Sequence, residues 1–316
     1  MISEKHFRTF ALSHFRAVRH MSTHIGISGW TYAGWRGTFY PDGVPQRREL
    51  EYASRRLDTI EINGTFYSLQ MPGSFERWHA ETPRGFRFAV KCSRFITHMK
   101  QLRDVETPLA NFLASGVLRL EEKLGPMLWQ FAPRRTLDMD RFRAFLELLP
   151  HDTADAARIA RGHDSRLAGR ASFHVDVNRP LRHAFEIRHE SFMTPAFLEL
   201  LRDHGAALVF SDAGSGWPYA EDVTAGFVYI RLHGAEETYA SGYGGPALDE
   251  WARKIRAWAA GREPRGAQRI DGAAPRRTSR DVFVYFDNDR KVRAPFDALA
   301  LARRLGSNWD DRHVFH

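Results

Sequence analysis

Apolar residues come in short clusters along this chain, and the spacing between polar positions changes from one cluster to the next. Eight runs read as strands, being brief, rich in β-branched and aromatic residues and bounded by turn residues. They are 25–30 (IGISGW), 59–67 (TIEINGTFY), 86–93 (FRFAVKCS), 127–133 (MLWQFAP), 183–188 (HAFEIR), 206–212 (AALVFSD), 226–234 (GFVYIRLHG) and 281–288 (DVFVYFDN). Segments with helical apolar spacing separate most of them: 46–57, 74–82, 108–124, 139–149, 194–205, 247–261 and 295–306. In 194–205, Thr194 suits the N-cap, Pro195 the first helical position and Gly205 the C-terminal stop. Only the link from the sixth run to the seventh lacks a helical pattern. Strand and helix alternating in this way predict an α/β fold, a single-domain TIM-type (β/α)8 barrel with the β6–β7 helix weak or missing. A doubly wound open sheet fits less well, because it usually has fewer strands and a glycine-rich first turn.

Alternation within each run sorts side chains onto two faces. Ile60 and Ile62 oppose Glu61 and Asn63; Val90 and Cys92 oppose Lys91 and Ser93; Phe185 and Ile187 oppose Glu186 and Arg188. Ile230 and Leu232 oppose Arg231 and His233, and Phe286 opposes Tyr285 and Asp287. Trp30, Gln130 and Asp212 end the first, fourth and sixth runs. Polar groups thus gather on one face near the C-terminal ends of the strands, where barrels of this type build their sites. Tyr229, one step below Arg231, reads as packing.

Charge changes this picture little. The formal net charge is +8. Residues 1–24 carry Lys5, Arg8, Arg16 and Arg19 against Glu4, and 262–280 carry six arginines against Glu263 and Asp271. These give +3 and +4, so the rest of the chain is nearly neutral at +1. The expected organisation is an N-terminal extension over 1–24, with Met21 as an alternative start. A barrel over 25–306 follows, with a basic disordered insertion at 262–280, and then a tail over 307–316. Cys92 is the only cysteine, so no internal disulfide forms. With no apolar run long enough for a membrane span and no secretory signal pattern, the expected location is cytoplasmic.

The ring supplies the candidate chemistry. Lys91, Arg188 and Arg231 suit a phosphate or carboxylate. Glu61 or Glu186 suits proton transfer with His233 as partner, and Lys91 completes the catalytic set. Trp30, Asn63, Tyr67, Ser93, His98, Gln130, Asp287 and Asn288 join Arg188 and Arg231 as expected substrate contacts. Arg94 and Thr97 follow the third strand, and Trp30, Tyr32, Trp35 and Tyr67 are candidates for stacking. The loop 238–245, with Tyr239 and Tyr243, reads as a lid or a plain flexible loop. A divalent metal on Glu61, Glu186, Asp212 and His233 is the less favoured reading, because no tight ligand spacing supports it.

Seven ordered motifs, GISGWTYAGWRGTFYP, IEINGTFY, FAVKCSRFITH, GPMLWQFAP, FEIRHESF, FVYIRLHG and VYFDND, resemble domain-of-unknown-function family 72, the YecE-like proteins. The resemblance runs from Ile25 to Gly306. It implies a TIM-type barrel and the location of a pocket, and it assigns no reaction. The motifs cover Trp30, Glu61, Asn63, Tyr67, Lys91, Ser93, His98, Gln130, Glu186, Arg188, His189, Arg231, His233 and Asn288. Asp287 departs from the more usual asparagine, and the arginine-rich stretch before the eighth strand is unusual.

The leading expectation is an enzyme using acid/base chemistry on a small anionic molecule. Hydrolase, isomerase and lyase chemistry all stay open. A sugar-binding or glycosidase-like barrel would pair Glu61 with Glu186 and stack sugar on Trp30 and Tyr67. A nucleic-acid protein would use the basic tail and insertion. A scaffold barrel that has lost catalysis is the fourth reading. No membrane partner is expected.

Overall fold

A computed structural model describes residues 23–214, 216–234, 242–272, 274, 277–288 and 291–315. Its strands are β1 Thr23–Ser28, β2 Thr59–Ile62, β3 Arg87–Lys91, β4 Leu124–Gln130, β5 His183–Glu186, β6 Ala207–Asp212, β7 Phe227–Leu232 and β8 Asp281–Phe286. All pair in parallel, in sequence order, and β1 pairs with β8 to close the barrel. The helices are α1 Glu49–Arg56, α2 Gly64–Tyr67, α3 Pro72–Glu81, α4 Glu106–Ala114 and α5 Met139–Leu148. They continue with α6 Thr153–Ala160, α7 Pro195–Asp203, α8 Gly245–Ala259, α9 Ala294–Arg304 and α10 Trp309–Arg312.

All eight expected strands are present, and α7 carries its expected cap, with Thr194 accepting from the Phe197 amide. Helices α6 and α10 were not expected, and two of the expected elements end differently. The second run was read as a strand through Tyr67, but the strand ends at Ile62 and Gly64–Tyr67 is a helical turn. Thr65 Oγ1 donates to the Lys91 carbonyl at 2.7 Å, which folds that turn onto β3. The helix read over 108–124 stops at Ala114, and Val117–Lys123 is a tighter 3-10 stretch. Gly116 causes the break: its φ is +110°, and a Cβ there would meet Pro72 Cα at 2.5 Å.

The two strand faces pack as alternation demands. Outward residues such as Ile60, Val90, Phe185, Ile230 and Val284 join the main core beneath the helices. Inward residues form a second, smaller cluster of Ala89, Leu128, Ala184, Ala207, Val209 and Tyr229, closed below by Phe227 and Phe283. Where β6 meets β7 the described residues form no helix. Residues of 262–280 lie against that connection instead. Gln268 O accepts from the Glu221 amide at 2.7 Å, and buried Asp222 accepts from the amides of Ile270 and Asp271. The described part of this segment, read from sequence as a disordered insertion, is tied to the barrel wall.

Candidate functional site

The C-terminal ends of the strands bring the expected polar ring together around Arg231, which is 0% exposed. Its Nε and Nη2 donate to the two oxygens of Glu61 at 3.1 and 2.8 Å. Nη1 donates to Glu186 Oε2 at 2.7 Å, and Nη2 also donates to Asp287 Oδ2 at 2.8 Å. Each outward-pointing edge of the guanidinium is therefore occupied by a carboxylate. Charge-assisted bonds of this kind are the strong ones, and here they lie away from water.

Four residues that sequence reasoning did not place in the ring complete it. Tyr229, read as packing, donates its hydroxyl to Glu61 Oε2 at 2.6 Å. Ser28 Oγ donates to Glu61 Oε1 at 3.0 Å, and Ser211 Oγ donates to Glu186 Oε1 at 3.1 Å. Trp217 donates Nε1 to Ser211 Oγ at 2.9 Å and lies 3.9 Å beneath the Arg188 guanidinium. Strand parity could have found Tyr229, Ser28 and Ser211, since each sits two residues from another inward position. Nothing in the sequence marks Trp217, which lies in the helix-free connection.

Glu186 and Asp287 are held ionised. Burial pushes Glu186 upward, but Arg188, Arg231 and His233 together hold it well below the usual carboxylate range. Burial likewise opposes ionisation of Asp287, and Arg231 with His233 still brings it down to about 2. His233 Nε2 stands 3.3 Å from Glu186 and Nδ1 stands 3.2 Å from Asp287. Arg188 Nη2 donates to Glu186 Oε1 at 2.9 Å. Glu61 or Glu186 was expected to move a proton; gripped by two guanidiniums, Glu186 is held as the carboxylate and has no proton to donate near neutral pH.

Lys91 behaves differently. It is 8% exposed, its ammonium rests 4.5 Å from the centre of the Phe66 ring, and it makes no hydrogen bond or ion pair among the described residues. Burial, then the charge of Arg231, lowers it to about 8. His98 sits on the same side. Burial and the nearby Lys91, Arg188 and Arg94 depress it to about 4, so it is neutral at pH 7. The mouth is polarised: an acidic lobe wraps Arg231, and a basic lobe gathers Lys91, Arg188 and Arg94.

The remaining expected residues divide. Gln130, 5% exposed and level with Glu186 across the β4–β5 pair, has an amide oxygen without a hydrogen-bond partner among the described residues. Asn63 Oδ1 is likewise buried and unpartnered, and Asn63 lines a cavity of about 260 Å3 with Trp30, Gln70 and Trp78. Ser93 Oγ accepts from the Phe95 amide and so holds a turn, while Thr97 bonds His98 Nδ1 at 2.9 Å. Tyr67 is 64% exposed beside Arg94. Asn288 donates to Asp297 Oδ2, an anchor at the start of α9. Tyr32 donates to the Ser28 carbonyl, and Trp35 is core. Tyr243 donates to Asp212 Oδ2 at 3.1 Å. Residues 235–241, including Tyr239 of the expected lid, lie outside the described residues.

The metal set of Glu61, Glu186, Asp212 and His233 does not converge. Among the described residues, only His79, Glu121 and Glu122 bring three such donors within 4.8 Å of one another, at the opposite end of the barrel.

A model of the family described as "Protein of unknown function DUF72" matches residues 24–313. The chain belongs to this family. It is 31% identical over 115 residues to the UPF0759 protein YunF of Bacillus subtilis, a match covering 35% of this chain and 40% of that protein. It is 26% identical over 166 residues to the UPF0759 protein YecE of Escherichia coli K12, covering 49% of this chain and 57% of the relative. These matches span well under two thirds of either curated relative. A DUF72 family protein from Thermotoga maritima shares the fold with a TM-score of 0.68 at 22% identity, over 90% of this chain and 100% of that one. One from Enterococcus faecalis gives 0.63 at 18% identity, over 90% and 96%. Among the described residues, no helix is long and apolar enough to cross a membrane.

Proposed function

We propose that the barrel mouth binds a small molecule bearing a phosphate or carboxylate, and that Lys91 is the group that moves a proton on it. The observation that carries this reading is the Lys91 side chain, 8% exposed, whose ammonium rests on Phe66 and makes no hydrogen bond or ion pair among the described residues. A buried charge is costly unless paired or used. Lowered to about 8, Lys91 is poised to hold or release a proton near neutral pH. Arg188 and Arg94 flank the same side and add positive potential. Arg231, expected from sequence to grip the anion, has its donors committed to Glu61, Glu186 and Asp287 and serves instead to organise them.

The glycosidase-like reading needs one carboxyl that can donate a proton, and Glu186 is held ionised. For the nucleic-acid reading, exposed Arg262, Arg265 and Arg269 lie on the connection into the base of β8, away from the ring.

The test is a thermal-shift screen against phosphorylated sugars and small organic acids, run on the native protein and on Lys91→Met. An anion at about 100 times its Kd adds about 2.7 kcal/mol of apparent stability. The expected result is a hit lost in Lys91→Met and weakened as pH rises through about 8, where the ammonium discharges. Hits unaffected by Lys91→Met would overturn the reading.

A further inference from the structure

Lys91 and Gln130 stand out together. They project inward from adjacent strands, near the C-terminal ends of β3 and β4, and both are more than nine-tenths buried. Neither side chain makes a hydrogen bond to a described residue, whereas Glu61, Glu186, Asp287, Arg188 and Arg231 all do. A barrel that satisfies Glu61 with three donors and leaves this pair unmet has left room for a ligand at that spot. Phe66 covers one side of the amine, and Arg231 lies near enough to oppose its protonation. An amine that is desolvated and set beside another cation is the arrangement that makes a lysine nucleophilic.

We propose that the small anion bound at the mouth is an aldehyde or ketone, and that Lys91 forms an imine with its carbonyl carbon. The inference rests on the reading that the mouth binds a small anion. The neutral Lys91 amine attacks the carbonyl carbon, and the carbonyl π pair moves onto oxygen. The amine gives up its two protons to that oxygen, which departs as water, and a C=N bond replaces C=O. Protonation of the imine nitrogen then withdraws electrons from the neighbouring C–H or C–C bond. Gln130 accepts a hydrogen bond from a hydroxyl of the substrate through its unmet amide oxygen. The anionic group lies toward Arg188 and Arg94.

The experiment is borohydride trapping. The full-length protein is incubated at pH 7 with pyruvate, glyoxylate, dihydroxyacetone phosphate or glyceraldehyde 3-phosphate, reduced, and mapped by peptide mass spectrometry. The expected product is a secondary amine on Lys91, heavier by the carbonyl compound less one oxygen. It should exceed labelling of Lys100 and Lys254 by at least about tenfold, since those amines lie outside the mouth that would hold the carbonyl compound and Lys91, lowered to about 8, is partly neutral at pH 7. Lys91→Arg keeps the cation but cannot form the imine, and it should abolish the label while retaining its fold by circular dichroism. If lactate or glycerol 3-phosphate stabilises the protein through Lys91 but no carbonyl compound is trapped there, the imine is overturned and the anion site stands. If neither binding nor trapping occurs, both fail. Labelling spread evenly over the surface lysines also overturns the imine.

Discussion

The two ends of the barrel interior solve the same packing problem with opposite chemistry. At the base, Phe227 and Phe283 fill the space, and Arg182 lies over both rings at 5.5 and 5.6 Å while its guanidinium reaches Asp281 at the rim. His24 stacks on Phe283 from the other side. The Arg182–Asp281 and His24–Asp58 pairs at the base keep some contact with water. At the mouth, Arg231, Glu61, Glu186 and His233 are fully buried. An apolar plug would have closed the mouth at lower electrostatic cost. On the proposed reading, the base serves stability and the mouth holds a ligand.

Three substitutions sharpen that contrast. The largest effect is expected for Arg231→Met, which strands three carboxylates in the interior. Breaking such a network costs about 3–5 kcal/mol, read by urea unfolding at pH 7. The pH response should also invert. In the native protein Asp287 ionises at about 2 against an ordinary 3.8, so its contribution is present above 3.8 and is lost as pH falls toward 2. Without Arg231 the buried carboxyls favour protonation, and the variant should gain stability on mild acidification. A variant as stable as the native protein would mean that the network contributes no more than the base.

Lys91→Met should act in the opposite direction. Lys91 falls from 10.5 to about 8, so the folded state holds fewer protons than the unfolded chain between those values, and native stability rises with pH across that window. Below pH 8 the full penalty for the buried ammonium applies. Methionine removes it, and the shift corresponds to a gain on the order of 3 kcal/mol at pH 7 that shrinks toward pH 10.5. Equal destabilisation at pH 7 and pH 10 would show that Lys91 is only packing. The smallest effect is expected at the base: Arg182→Met removes a partly exposed pair worth less than about 1 kcal/mol. It should leave ligand-induced thermal shifts unchanged.

Much of the molecule was legible beforehand. The strand count follows from eight apolar runs, and the inward face follows from alternation, so the sequence pattern places Glu61, Lys91, Glu186, Arg231 and His233 in one ring. The end of β2 was not legible, because Asn63-Gly64-Thr65 reads equally as strand or turn until Thr65 finds the Lys91 carbonyl. The break at Gly116 was hidden for a related reason. Its left-handed backbone answers to the close approach of Pro72, more than forty residues earlier. The roles within the ring were hidden most deeply, and Arg231 and Lys91 look alike as inward cations.

By itself, then, the sequence determined the periodicities, and through them the barrel, its inward face and the end at which polar groups collect. Those properties depend on the order of neighbours along the chain, and local spacing carries them. Tertiary structure alone decided that Arg231 is saturated by Glu61, Glu186 and Asp287 while Lys91 makes no hydrogen bond or ion pair among the described residues. Ion pairing depends on distance in space, and the carboxylates that meet Arg231 come from β2, from β5 and from the residue after β8. Desolvation, which sets Lys91 near 8, likewise arises from residues that only the closed barrel brings around it.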